Sequence, residues 1–204
     1  MQTKAEEIEV KFYLTDPDGF VSRLTAAGAV LKTARIFERD LRFDDAKRSL
    51  MAADQVLRLR MDKHATLTYK GYGVLKSGTS ARPEFEVRVS DFDTTQKILE
   101  ALGYHPYLIY EKFRTTYDLM LCEVVLDEMP YGWFCEIEGD SPKMIKQVAE
   151  SLELRWNARI VESYTMLFQY CKEKLALDFN DLTFTNFKDI TPAAQDLGIN
   201  PADR

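Results

Sequence analysis

The sequence predicts an α+β fold: an eight-stranded closed antiparallel β-barrel with helices packed outside. Three observations carry that expectation. About eight segments alternate apolar and polar residues with the period of two that a half-buried strand requires. Most of them follow one another through turn-sized connections, as sequential antiparallel strands do, and eight such strands suffice to close a barrel. The few helical segments are amphipathic and carry start and stop signals, so they need an apolar surface to cover. With 204 residues, 46% of them hydrophobic, the chain can bury one core. One domain is expected over residues 1–177, followed by a polar C-terminal extension over 178–204 that packs on it or is disordered.

The first strand contains EIEVKF and runs to about Leu14. A short helix follows in DPDGFVSRLTAAGA, with Asp16 as N-cap, Pro17 at the first helical position and Gly28 near the stop. A long strand runs through LKTARIFERDLRFDD. After a polar loop come QVLRLRMD and ATLTYKGY, joined by a tight DKH connection. Beyond a Gly/Ser-rich break, RPEFEVRVS reads as the next strand and DFDTTQKILEALGY as a second helix ending at Gly103. Strands then resume as YLIYEKFRTTYDL, CEVVLDEM and GWFCEIEG, the last two joined by a turn at PYG. SPKMIKQVAESLEL opens with a Ser-Pro helix start, VESYTMLFQYCKEKL is a further amphipathic helix, and TPAAQDLG reads as one or two capped helical turns.

The same alternation assigns side chains to faces. Glu7, Glu9 and Lys11 share one side of the first strand, and Ile8, Val10 and Phe12 share the other. Arg58 and Arg60, then Thr66, Thr68 and Lys70, then Glu84, Glu86 and Arg88, oppose apolar residues in the same way. Lys112 and Arg114 share a face, as do Glu123 and Asp127, and Glu136 and Glu138; the long second strand adds Glu38, Asp40 and Arg42. If the charged sides face water, the barrel is filled with apolar residues like a lipocalin. If they face inward, the barrel is a hydrated tunnel lined by cations and carboxylates. Periodicity does not choose between the two, although the dominance of Arg, Lys and Glu over Thr, Ser, Gln and Asn favours the tunnel.

A net charge of −6 argues against a general nucleic-acid-binding surface. Three cysteines without close pairing fit a reducing cytosol, with Cys122 and Cys135 on the apolar phase of their strands. No apolar run reaches the length of a membrane helix and the start lacks a signal peptide's apolar core, so a cytoplasmic protein with no membrane or nucleic-acid partner is expected. A homodimer is the one macromolecular partnership left open.

EIEVK matches an E-x-E-x-K signature. The match extends in order through DLRFD, VLRLR, LTYKG, the E-x-E-x-R strand of PEFEVRV, EKFR and the LDEMPYGWFCEIEG hairpin, over about residues 5–170. In these motifs the chain resembles the CYTH superfamily, the triphosphate tunnel metalloenzymes, which include class IV adenylate cyclases, thiamine triphosphatases and inorganic triphosphatases. The resemblance implies an antiparallel tunnel with its charges inside. One departure stands out: the family's second strand commonly reads D-x-Y-F-D, whereas here Arg42 takes the tyrosine's place.

A triphosphate taken from water requires many donors at once, planar bidentate ones from Arg and point charges from Lys. Arg42, Arg58, Arg60, Lys70, Arg88, Lys112 and Arg114 are the expected triphosphate-binding residues. Carboxylates in the same tunnel would repel phosphate unless cations bridge them, which implies Mg²⁺ or Mn²⁺. The candidate ligands are Glu7, Glu9 and Glu136, with Glu138, Asp127 and Glu86 behind them, and the candidate catalytic residues are Lys11 and Glu9. Cationic neighbours could ready Lys11 to deprotonate water, whereas paired carboxylates would oppose that. The expected function is metal-dependent hydrolysis of a small triphosphate. The alternatives are a class IV-type cyclase, a polyphosphate- or nucleotide-binding module without turnover, and, more remotely, a lipocalin-like apolar binder.

Overall fold

The computed structural model describes residues 7–76 and 79–203. Its strands are β1 (Glu7–Leu14), β2 (Val30–Asp44), β3 (Val56–Met61), β4 (Ala65–Lys70), β5 (Val74–Lys76), β6 (Thr79–Arg82), β7 (Glu84–Val89), β8 (His105–Leu119), β9 (Cys122–Met129) and β10 (Gly132–Glu138). The helices are α1 (Pro17–Ala26), the single turn α2 (Ser49–Ala52), α3 (Phe92–Ala101), α4 (Pro142–Ser151) and α5 (Tyr164–Leu175). Each longer helix starts where a short polar side chain accepts a hydrogen bond from a first-turn amide: Asp16 for α1, Asp91 for α3, Ser141 for α4 and Ser163 for α5.

All pairings are antiparallel, in one sheet of order β5-β6-β1-β10-β9-β8-β2-β3-β4-β7. The expectation of eight strands in a closed barrel needs two corrections. The Gly/Ser-rich break contains the extra hairpin β5–β6, three and four residues long. Among the described residues, moreover, the hydrogen-bonded ladder does not close on itself. Its two ends are joined covalently: β6 pairs with β1, β7 pairs with β4, and only Pro83 separates β6 from β7. Proline has no amide hydrogen to continue a ladder and fixes its own φ, so one extended segment changes partners there. The Pro83 carbonyl still accepts from the Gly71 amide (2.9 Å), which ties the joint to the end of β4.

Three apolar clusters flank the sheet, two on its outer side and one on its inner side. Ile8, Val10, Phe12 and Val124 pack under α1 and α4 through Phe20, Leu24, Ile145 and Val148. On the inner side Leu108, Tyr110 and Phe134, which share the strand faces of Lys112 and Glu136, pack against α5 through Leu167 and Phe168 and fill one end of the enclosed space. Leu41, Phe43 and Leu59 pack under α3 through Leu99. Fully burying one such side chain contributes about 1.5–3 kcal/mol, so these faces decide which side of each strand points outward. All three cysteines are free and buried, and burial, followed by nearby Asp196, pushes the Cys171 thiol up to about 11.

Residues 178–203 form a strap that runs from β8 past α5 to the end of β1. Leu182 bonds to β8 in both directions, its amide to the Ile109 carbonyl and its carbonyl to the Glu111 amide, both at 2.9 Å. Leu182, Phe187 and Leu197 are buried beside α5. At the far end the Ala202 amide donates to the Tyr13 carbonyl, and the Asp203 carboxylate accepts from the Thr15 and Asp16 amides at 2.7 Å.

Candidate active site

With the apolar faces outside, the polar faces of the curved sheet surround one cavity of about 1420 Å³, to which all ten strands contribute. The choice left open by periodicity is thereby made: the charges face inward. Tyr110, Lys112 and Arg114 show the mechanism most simply, since every second residue of β8 faces the cavity while Ile109, Glu111 and Phe113 do not line it.

The wall carries a continuous run of ion pairs that alternates in sign. Lys70 meets Glu84 (3.0 Å), and Arg58 stands between Glu84 (3.9 Å) and Asp40 (3.4 Å). Arg60 joins Asp40 (3.0 Å) to Glu38 (3.3 Å), and Lys112 joins Glu38 (3.5 Å) to Asp127 (3.1 Å). Arg114 bridges Asp127 and Glu136, both at 2.5 Å, and Lys11 bridges Glu136 (3.3 Å) and Glu9 (2.5 Å). Buried charges are tolerated only when paired, and here every charge between the two ends of the run, Lys70 and Glu9, pairs with neighbours on both sides.

The titration behaviour follows from that arrangement. Burial by itself would lower the Lys11 pKa, but Glu9 and Glu136 outweigh it and leave the ammonium raised above its ordinary value. Burial would raise the Glu136 carboxyl, yet Lys11 and Arg114 hold it well below the usual carboxylate range. Lys11 therefore stands charged at neutral pH, contrary to the readiness to take a proton considered from sequence. Burial and Asp40 would raise the Tyr110 phenol, but Arg58, Arg42 and Arg60 outweigh them and lower it, the mark of a locally positive potential at that side chain.

Of the residues expected from sequence, Glu9, Lys11, Arg42, Arg58, Arg60, Lys70, Glu86, Lys112, Arg114, Glu136 and Glu138 line this cavity. The Glu7 side chain lies outside the described residues; its backbone is paired with Arg82. Two expectations are corrected. Arg88 is exposed and does not line the cavity, because β7 has carried it past the wall. Asp127 is fully buried behind the lining, and its oxygens accept from Lys112 Nζ, from Arg114 Nε and Nη2, and from the Tyr164 hydroxyl (2.9 Å). It orders cations here and offers no free face to a metal. Glu86 sits at the margin, its side chain 54% exposed, and accepts from the Thr68 hydroxyl (3.0 Å).

Arg42 is the odd cation: no ion pair to it is formed among the described residues, and its Nε is buried without a hydrogen-bond partner beside the Tyr110 ring (5.5 Å). Sequence reasoning missed Tyr110 and Tyr164. The first shares the face of Lys112 and Arg114, so alternation could have found it. The second stands in the first turn of α5, where no strand period applies, and nothing local signals its reach to Asp127.

Hard carboxylate oxygens from Glu9, Glu136 and Glu138 suit Mg²⁺ or Mn²⁺ in kind. Lys11 Nζ stands where Glu9 and Glu136 converge, so a position between these carboxylates already holds a positive charge. Among the described residues, no group of three or more His, Cys, Asp or Glu side chains is arranged to hold a metal. No helix among them is long and apolar enough to cross a membrane.

Comparison with known proteins gives a consistent picture. A family model described as the CYTH domain matches residues 5–174. A Vibrio parahaemolyticus protein described as a candidate adenylate cyclase superposes with a TM-score of 0.72 at 19% identity, covering 82% of this chain and 99% of its own. A Pyrococcus horikoshii protein, PH1012, does so with a TM-score of 0.66 at 23% identity, covering 78% and 96%. A Hippeastrum candidate adenylyl cyclase, reported to have a dominant triphosphatase activity, gives 0.56 at 21% identity, covering 71% and 84%. At these identities the likeness is one of fold. The comparison with curated proteins finds no match.

Proposed function

Since the chain belongs to the CYTH domain family, we propose that it is a divalent-metal-dependent phosphoryl-transfer enzyme that hydrolyses a triphosphate held inside the charged cavity. The observation that carries this reading is the convergence of Arg58, Arg60, Lys112, Arg114 and Lys11 from three strands on one cavity. A polyanion there would exchange water for preorganised donors, the main requirement of phosphoryl transfer.

Charge balance supports the metal. The described residues that line the cavity include ten cations and eight carboxylates, and Glu38, Asp40 and Asp127 lie directly behind them. The wall alone therefore leaves a triphosphate under-neutralised. Glu9, Glu136 and Glu138, with Glu7 and Glu86 as further donors, would hold Mg²⁺ or Mn²⁺. When bound, the ion would offset phosphate charge and make a coordinated water more acidic. The arginines orient the phosphates through paired donors. Lys11, already bonded to Glu9 and Glu136, offers its remaining hydrogen to a phosphate oxygen and steadies charge as the bond to phosphorus breaks.

The test is incubation with ATP, tripolyphosphate and thiamine triphosphate, each with Mg²⁺ or Mn²⁺, followed by chromatographic separation of products. Orthophosphate is expected. Cyclic AMP with pyrophosphate would reassign the attack to a ribose hydroxyl and make the protein a cyclase. Metal-dependent stabilisation by ligand without any product would leave a binding module.

A further inference from the structure

Residues 160–182, which include α5, are tied at their two ends to strands that are not neighbours in the sheet. At the first end Ile160 exchanges both backbone hydrogen bonds with Lys11 (2.8 and 3.0 Å), just past Glu9, where the pairing of β6 with β1 stops. At the second, Leu182 bonds to β8 on either side of Tyr110, two residues before Lys112. Since β10 and β9 separate β1 from β8, the segment is a brace between the two strands that carry the lysines of the cavity.

Tyr164, the first residue of α5, is where this brace meets both lysines. Its ring is buried, with Lys11 Nζ 5.5 Å and Lys112 Nζ 5.6 Å from its centre. Its hydroxyl donates to Asp127 (2.9 Å), the carboxylate that also accepts from Lys112 and Arg114. We propose that Tyr164 is a positioning residue: it sets where the Lys11 and Lys112 ammonium groups stand relative to each other, and so to a bound phosphate chain. This rests on the phosphoryl-transfer reading above and adds to it a residue that acts through the lysines.

The chemistry of lysine is the first argument. An arginine fork has its direction built into a planar group, whereas an ammonium is a point charge at the end of a flexible stem and must be placed from outside. Carboxylates place each lysine separately, Glu9 and Glu136 for Lys11, Glu38 and Asp127 for Lys112. A ring that both ammonium groups face is a contact common to the two, and cation–π attraction is strongest where water is excluded, as it is here, with Lys11 5% and Lys112 2% exposed. The fixity of the ring is the second argument. Tyr131 donates its hydroxyl to the Tyr164 carbonyl (2.9 Å), Phe134 meets the ring edge-on at 5.1 Å, and Ser163 caps the helix that begins there. Held at its backbone, its ring and its hydroxyl, Tyr164 gives the kind of locked support that a preorganised site requires.

The test compares Tyr164→Leu, which removes ring and hydroxyl, with Tyr164→Phe, which keeps the ring; Tyr164→Met replaces the leucine variant if that one does not fold. Protons held over an aromatic ring resonate at higher field, so the ligand-free wild type, labelled at lysine, is expected to show upfield-displaced NMR signals from the methylenes beside the Lys11 and Lys112 ammonium groups. One of them should vanish in Lys11→Met, and both should persist in Tyr164→Phe and return to ordinary positions in Tyr164→Leu. With Mg²⁺ and whichever of ATP, tripolyphosphate and thiamine triphosphate the wild type hydrolyses fastest, Tyr164→Leu should lower kcat about tenfold, the scale of cation–π contacts shielded from water. The calorimetric dissociation constant should stay within about threefold, because the arginine forks still hold the phosphates, and Tyr164→Phe should keep kcat within about threefold. A ring that merely fills space would cost stability without separating kcat from binding. Undisplaced lysine signals in the wild type, kcat within twofold in Tyr164→Leu, or kcat and affinity falling in step would overturn the inference, while hydrolysis by the wild type in the same assays would leave the phosphoryl-transfer reading standing. Hydrolysis of none of the three triphosphates by the wild type would overturn both.

Discussion

Strands β1 and β7 carry nearly the same words, EIEVK and EFEVR, and they end in different surroundings. β1 is flanked on both sides, by β6 and β10, and its apolar face is sealed under α1 and α4. Its Lys11 is 5% exposed and held between Glu9 and Glu136. Among the described residues β7 is flanked only by β4, and its outer face is bare: Phe85 is 59% and Val87 56% exposed. Of its three charges, Glu84 joins the ion-pair run, Glu86 sits half in solvent and Arg88 leaves the cavity. Alternation therefore assigns a face. Flanking strands and a cover on the far side assign depth, and depth decides whether a charge must be partnered and can be used.

The largest effect that would test this contrast is on the deep side. Asp127→Ala strips Lys112, Arg114 and Tyr164 of a shared acceptor and should cost about 3–5 kcal/mol in urea unfolding, as breaking a buried pair does. A cost under about 1 kcal/mol would show that pairing is not what holds the wall. Next, Lys11→Met should slow triphosphate turnover about 10²-fold or more, the scale of a lost preorganised donor, whereas its counterpart Arg88→Met should change it less than about twofold. Equal losses would erase the distinction between the two strands.

A smaller effect should appear in acid. Burial would raise the Asp40 and Glu38 carboxyls, but Arg60 and Arg58 hold Asp40, and Lys112 and Arg114 hold Glu38, below their ordinary values. A depressed folded-state pKa means stability that is complete above the ordinary carboxylate range and drains away as pH falls through it. Asp40→Asn should thus be about 2 kcal/mol less stable than wild type at pH 7, with the gap closing towards pH 3. A gap independent of pH would mean that Asp40 contributes through shape alone. The smallest effect is expected on the bare face, where Phe85→Ser should shift stability by less than about 0.5 kcal/mol. A larger loss would mean that something covers this strand in solution.

Much of this molecule could be read from local pattern. The charged faces, the capping residues Asp16, Asp91, Ser141 and Ser163, and the turn before β10 all follow from spacing that the neighbouring residues enforce. What escaped depends on partners far away in sequence. β5 and β6 are too short for alternation to register, and that Pro83 hands one extended segment from β1 to β4 is a property of the whole sheet. Asp127 and Glu136 look alike within their strands, yet Tyr164, arriving from α5, helps make one a buried anchor while the other lines the cavity.

The order of strands in the sheet also governs how the molecule comes into being. β1 is synthesised well before β10, yet its main ladder is with β10, and Ala202, still later in sequence, bonds to Tyr13. Pairing so distant in sequence is slow to form, because the loop must close before the contact rewards it. Until β10 arrives, the segment bearing Glu9 and Lys11 is an apolar-faced strand with unsatisfied edges, prone to pair with a neighbouring chain. The strand proposed to carry the chemistry thus stays open to misassembly during synthesis until the wall around it is complete.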